Sequence, residues 1–353
     1  MREHRGISMR CPTLAELPSP PCGKTGWPWT EESPRQSAAM PDGRRRPRVS
    51  IVTPSYNQGR FIEETIRSIL LQGYPDLEYV LIDARSADES IDIVRKYEPW
   101  LACWVSEPDR GQADALRKGF DKGRGELLGW INADDVLAPG AVRALAEVYV
   151  RHPHFGIYAG TVENFKHTPF EGNREVVKQH SISFMNILLP SCAQRPRFHQ
   201  PGIFFTSDIY RQAGGIDPSY QYRMDYDLLL RMLDKGGRVY YLNETVAYFR
   251  KHALSKTGRR TSGYFLRVFD ETSSVTSRYV DRLSREDLDR LCLQRVGDLL
   301  HGVYYGLMSA QPKGAAKCLR LAVILGRSSI YRALLLGMLQ AAVPRLERLL
   351  GAR

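Results

Sequence analysis

The chain has 353 residues, 43% of them hydrophobic and 25% charged, and a formal net charge of +11. Such a length and mix suit a soluble globular protein with a substantial core and exclude collagenous, low-complexity and membrane-embedded chains. The positive balance favours an anionic partner: a nucleotide, an acidic lipid or a nucleic acid.

Six cysteines stand far apart without C-x-x-C spacing. That argues against a zinc site or a disulfide framework and suits a reducing, cytoplasmic setting. The N-terminus lacks a signal-peptide core. No run of about 18 residues or more is apolar enough to span a bilayer; the richest, Leu321–Val343, is broken by Arg327 and Arg332.

Residues 1–47 are rich in Pro, Ser, Gly and Arg without periodicity, and are expected to be a disordered extension. Met40 stands just before PDGRRRPR, so a natural start there is a further expectation. From Arg48 strand and helix signals alternate. Val49–Val52 is a β-branched strand running into Thr53-Pro54-Ser55-Tyr56-Asn57-Gln58-Gly59. Phe61, Ile62, Thr65, Ile66, Ile69 and Leu70 then recur at helical spacing. Tyr79–Ile82 is a second strand, and Ser86 and Glu89 have the S-x-x-E spacing of a capping box. Leu101–Val105 is a third strand, Gly111–Phe120 a helix and Leu127–Ile131 a fourth strand, with Pro139 in the first turn of the next helix. Strand–helix alternation implies a parallel α/β sheet whose ligands bind beyond the strand C-terminal ends. The candidate residues fall there: Thr53–Asn57, Asp83, Glu107–Arg110 and Asn132–Asp135. Further on, Ile203–Phe205 and Val239–Leu242 read as strands and Asp225–Leu233 as a helix; from about 264 the chain reads as helical.

No G-x-G-x-x-G, G-x-x-x-x-G-K-[ST] or G-x-S-x-G follows the first strand, which weakens dinucleotide, P-loop and α/β-hydrolase readings. Aromatic, amide and acidic loop residues remain. They suit a base, a ribose and a metal-bound diphosphate.

Six segments in order, VTPSYN (52–57), LID (81–83), SEPDRGQ (106–112), WINADD (130–135), HQP (199–201) and MDYDL (224–228), closely resemble family 2 glycosyltransferases of the GT-A fold. The resemblance covers about residues 48–255. It implies a Rossmann-like, mixed, mainly parallel sheet flanked by helices, with 256–353 as a helical C-terminal extension. It also implies inverting transfer from a nucleotide-diphosphate sugar, UDP- or dTDP-linked, to a hydroxyl of a saccharide or lipid-linked acceptor in polysaccharide or glycolipid biosynthesis of the cell envelope.

Asn132 and Asp134 occupy the D-x-D position and, in an extended segment, point the same way. Mg²⁺ or Mn²⁺ commonly takes one or two carboxylates plus substrate phosphates; Asp134 is the expected ligand, and Asp135 either joins it or holds a neighbouring loop. His252 is a weaker candidate for the metal or diphosphate. Thr53, Pro54, Tyr56, Asn57, Asp83, Asp109, Arg110, Asn132, Ala133 and Asp134 are the donor-side set. Asp83 suits ribose hydroxyls or a base N–H, or else caps a helix. Tyr56 suits base stacking or plain packing. Arg110 suits a phosphate or a structural ion pair. Where the family usually has D-G-G-S-T-D, this chain has Asp83-Ala84-Arg85-Ser86-Ala87-Asp88; Arg85 either reaches a phosphate or points to solvent. By resemblance Asp225 is the base that deprotonates the acceptor, with Asp227 its rival. His199 and Gln200 line the acceptor side.

Three departures, Asn132, Ala84-Arg85 and Met224, keep open a catalytically inactive nucleotide-sugar-binding homologue. Nucleotidyl transfer lacks a Gly-rich basic loop, and nucleic-acid binding lacks a basic aromatic platform. Residues 313–353 carry eight Lys/Arg against one acid. They read either as a hairpin packed with its basic side chains outward or as helices in peripheral contact with the inner face of the plasma membrane.

Overall fold

The structure is a computed structural model that describes residues 4–5, 11–166, 174–189, 197–253, 255–256, 261–308 and 311–325. The chain divides into two compact units, Met1–His252 and Ala253–Arg353, three residues from the boundary expected after 255.

The first unit is built on one sheet. In chain order its elements are β1 (His4–Arg5), β2 (Val49–Ser55), α1 (Gly59–Leu70), β3 (Leu77–Asp83), α2 (Ser90–Tyr97), β4 (Cys103–Ser106) and α3 (Gln112–Lys122). There follow β5 (Leu127–Trp130), β6 (Val136–Leu137), α4 (Ala141–Arg151), β7 (Ile157–Phe165), β8 (Glu175–Val177) and α5 (Phe184–Leu188). The last are β9 (Ile203–Thr206), α6 (Ser207–Gln212), α7 (Met224–Asp234) and β10 (Val239–Arg250). The strand order is β1-β4-β3-β2-β5-β9-β7-β10-β6, with β8 against β7. The central β4-β3-β2-β5 block is parallel, and β9 enters antiparallel between β5 and β7.

Helices cover both faces of the block, so every residue of β2 and β3 is buried and their apolar runs are continuous. α1 turns Ile62, Ile66 and Ile69 to the sheet at helical spacing. Gly119 of α3 lets helix and sheet approach closely: a Cβ there would stand 2.3 Å from Val52. The C-terminal ends of β2, β3, β4 and β5 therefore open on one rim.

Three expectations are corrected. Residues 11–47 are not a disordered extension: Cys11, Leu17, Trp27 and Trp29 are buried. The fully buried Arg67 guanidinium of α1 donates to the backbone carbonyls of Pro18 (2.8 Å), Pro28 (3.0 Å) and Trp29 (2.9 Å). Trp27 Nε1 donates to Leu137 O at 2.9 Å. A segment without periodicity is held here by its carbonyls and two indoles. The capping box is also absent: α2 begins at Ser90, whose N–H is accepted by Asp88 Oδ1 (3.1 Å), while Ser86 faces Asp83. Finally, the strand reading to Ile131 ends at Trp130, and 132–135 is a turn closed by Asp135 N–H to Asn132 O (3.0 Å).

The second unit contains α8 (Ser262–Ser277), α9 (Arg285–Met308) and α10 (Pro312–Leu325), which bury Val296, Leu299, Cys318 and Ala322 together. Among the described residues no helix is long and apolar enough to cross a membrane. Most of the basic tail read as hairpin or membrane helix, from 326 onward, lies outside the described residues.

Candidate active site

The turn after β5 sorts its two acids. A four-residue turn brings positions i and i+3 together, so Asn132 shares a side with Asp135, not with Asp134 as an extended backbone would have it. Asn132 Nδ2 donates to Asp135 Oδ2 (3.0 Å). Asp135 is fully buried, its other oxygen accepts the Arg250 backbone N–H (3.0 Å), and its own carbonyl accepts Thr65 Oγ1 (2.6 Å). Burial, and then the charge of Asp134, push its carboxyl well above the usual carboxylate range. Both oxygens of Asp135 thus face internal donors, as its loop-holding alternative requires.

Asp134 faces the other way. Its Oδ2 lies 2.9 Å from His252 Nε2, and its carbonyl accepts Arg250 Nε (2.9 Å). Arg250 is itself buried, paired with Glu64 of α1 (2.6 Å) and flanked by the rings of Phe61 and Phe165 at 4.8 and 4.5 Å. Glu64 and Arg250, which sequence reasoning missed, thus fix the Asp134–His252 pair.

Asn132 is the centre of an amide chain. Its Oδ1 accepts Gln112 Nε2 at the start of α3 (2.8 Å), and its Nδ2 also reaches Gln200 Oε1 (3.3 Å). Gln200 Nε2 in turn donates to Trp130 O (2.9 Å). Ala133 is buried. His199, beside Gln200, places Nε2 3.0 Å from Asn164 Oδ1 and tilts against Phe249. Burial, aided by the charge of Lys251, lowers its pKa to about 4, so it is neutral at pH 7.

On the β3 side the expected base or ribose contact is turned inward. Asp83 is fully buried and accepts Ser86 N–H (2.8 Å), Ser86 Oγ (2.5 Å) and Ser106 Oγ (2.9 Å). Asn57 joins the two loops: its N–H donates to Ser86 Oγ (2.8 Å) and its Oδ1 accepts Ala87 N–H (2.9 Å). Thr53 is buried and accepts the Tyr79 hydroxyl (3.1 Å), and Pro54 is buried beside it. Tyr56 stands out at 62% exposure.

The loop after β4 completes the rim. Asp109 Oδ1 accepts Gly111 N–H (2.8 Å), and burial raises its pKa. Arg110 pairs with Asp114 on the first turn of α3 (2.9 Å). Gln221 Nε2 donates to Arg110 O (2.9 Å), tying the segment before α7 to this loop. Asp225 sits in the first turn of α7, half-buried, with its Oδ1 accepting Tyr226 N–H (2.8 Å). Its rival Asp227 is fully buried and paired with Arg231 (2.5 Å).

The carboxyl ends of such a parallel block are where open α/β sheets bind their ligands. The sequence profile described as "Glycosyl transferase family 2" matches residues 50–211. Residues 50–211 thus form a glycosyl transferase family 2 domain. A "Putative teichuronic acid biosynthesis glycosyltransferase TuaG" of Bacillus subtilis is 24% identical over 219 residues, 58% of this chain and 79% of that protein. Residues 1–349 of S. aureus TarS, solved with UDP-GlcNAc, match the fold with TM-score 0.51 at 12% identity, over 77% of this chain and 90% of that one. The mannosyltransferase PcManGT of Pyrobaculum calidifontis, solved with GDP-Man and Mn²⁺, matches with TM-score 0.50 at 21% identity, over 89% and 90%. The likeness supports the GT-A-like fold.

Proposed function

We propose that the chain transfers a sugar, with inversion, from a nucleoside-diphosphate donor to a hydroxyl of a saccharide or lipid-linked acceptor. The observation that carries this reading is the Asp134–His252 pair at the end of β5, held from behind by Arg250 and Glu64. A divalent cation fits this donor set: one carboxylate and one imidazole, with phosphate oxygens to complete the shell. Among the described residues no group of three or more His, Cys, Asp or Glu could hold a metal by itself, so the fit depends on the substrate's own oxygens. Bound there, the cation would supply Lewis-acid stabilisation of the leaving diphosphate.

The chain's own residues then have separable tasks. Asp134 and His252 hold the diphosphate side. Tyr56 offers an exposed ring to the base. Asn132, locked by Gln112, Gln200 and Asp135, fixes the turn that presents Asp134. Asp225 accepts the proton of the acceptor hydroxyl as its oxygen attacks the anomeric carbon from the face opposite the leaving phosphate oxygen. Similarity to a teichuronic acid biosynthesis protein supports a cell-envelope polysaccharide or glycolipid as the product.

Two variants test the reading. Asp134→Ala is expected to weaken Mn²⁺-dependent UDP or GDP binding at least about 100-fold in calorimetric titration. Asp225→Asn is expected to keep that binding and lower turnover about 10²–10⁴-fold. Metal-independent binding untouched by Asp134→Ala, or a fully active Asp225→Asn enzyme, would overturn the assignments. Nucleotide binding without transfer to any acceptor would favour the inactive homologue.

A further inference from the structure

The loop after β3 inverts the placement expected from its acid. Asp83 is enclosed and spends its oxygens on Ser86 and Ser106. The side chain the loop turns outward is Arg85. Its backbone has φ +58°, the left-handed region that a side chain other than Gly or Asn rarely occupies. Arg85 is exposed, and no ion pair or hydrogen bond of its guanidinium accounts for the conformation among the described residues. Strain kept at a substrate rim, on a charged side chain with no internal partner, points to a ligand contact.

Its position says which part of the ligand. Ala84 N–H donates to Ser55 O (2.8 Å), so Arg85 and Tyr56 each stand one residue beyond a hydrogen-bonded pair. Asn57, also left-handed at φ +51°, binds Ser86 and Ala87 and holds the two turns side by side. Asp134 follows β5, two strands away from β3 across β2, roughly 10 Å by ordinary strand spacing. The diphosphate side lies there, and the Tyr56–Arg85 side is left for the nucleoside.

We infer that Arg85 is a donor-binding residue that hydrogen-bonds oxygen acceptors of the nucleoside, base carbonyl or ribose, beside the Tyr56 ring, in place of the enclosed Asp83. The inference rests on the nucleotide-sugar reading and names the residue that reads the nucleoside. A guanidinium presents a fork of donors suited to such oxygens.

The test uses the full chain, with UDP and GDP titrated in the presence of Mn²⁺, and UMP or GMP as the matching monophosphate. Arg85→Gly removes both the guanidinium and the strain, while Arg85→Ala removes the guanidinium alone. Both variants are expected to lose about tenfold in affinity, by the same factor for diphosphate and monophosphate. Arg85→Gly is expected to hold or raise the thermal midpoint, because Gly accepts this backbone freely. Unchanged affinity in both variants would overturn the inference and make Arg85 a solvent-facing residue. A loss confined to the diphosphate would overturn it as well, assigning Arg85 to the phosphates. A wild-type chain that binds neither UDP nor GDP would instead overturn the donor reading, and this inference with it.

Discussion

The loops after β3 and β5 each bring an acid to the same rim of one parallel block, and they use it in opposite ways. After β3 the acid is enclosed by two serines and an arginine is turned out. After β5 the second acid of the pair is enclosed, by Arg250 and Asn132, and the first is turned out towards His252. Each loop thus has one buried carboxylate that shapes it and one group turned outward. Which acid does which is set by hydrogen-bond closure of the turn and not by residue type.

That contrast can be broken most forcefully by isosteric exchange. Asp134→Asn is expected to cost at least about 100-fold in metal-dependent nucleotide affinity with little change in thermal midpoint. Asp83→Asn is expected to lower stability by about 1–3 kcal/mol, because it replaces an acceptor inside a closed network, and to leave affinity within about threefold. Calorimetry and thermal melts on both proteins decide the matter, and a reversed pattern would sink the comparison.

The next effect is smaller. Asn132→Asp restores a D-x-D spelling, yet it sets a second carboxylate against buried Asp135 at the 3.0 Å contact now made by an amide N–H. We expect about 2–3 kcal/mol of destabilisation in urea unfolding and no gain in metal affinity. A tighter metal site with unchanged stability would refute the turn-holding role of Asn132.

The smallest effect sharpens the β5 side alone, through His199 beside Gln200. Its folded pKa of about 4 lies below the ordinary 6.5, so the unfolded chain takes the proton first as pH falls. The contribution is full above about pH 6.5 and is lost between there and about pH 4. At pH 5.5 the loss should be about 1.4 kcal/mol, seen as a falling unfolding midpoint that His199→Gln flattens.

The central block was legible because its strands are buried on both faces and read as continuous apolar runs broken by loops. The outward acid Asp134 was legible from the motif, but the reason given for it was not the one the turn supplies: alternation holds in a strand, and the strand stops at Trp130. The burial of Asp83 was unreadable because it depends on Ser106, 23 residues on, and on Ser86 facing back instead of capping α2. Arg250 and Glu64 lie 186 residues apart in sequence; only the fold makes them partners. The N-terminal segment was missed for a related reason. Its contribution is mostly backbone carbonyls, which no side-chain pattern announces.

Those carbonyls bear on how the site stays assembled. Arg67 stands one helical turn from Glu64 and less than one from Thr65 on α1, and these three side chains are the helix's links to the N-terminal arm, to Arg250 and to Asp135. Peeling the arm away would strip the Arg67 guanidinium of its three carbonyl acceptors and leave it only the Tyr97 hydroxyl (3.2 Å), a loss costly enough to make arm and helix open together. Amide exchange in residues 18–29 and in the turn at 134–135 should then report one cooperative opening, with α1 as the shared beam between the back of the domain and its catalytic rim.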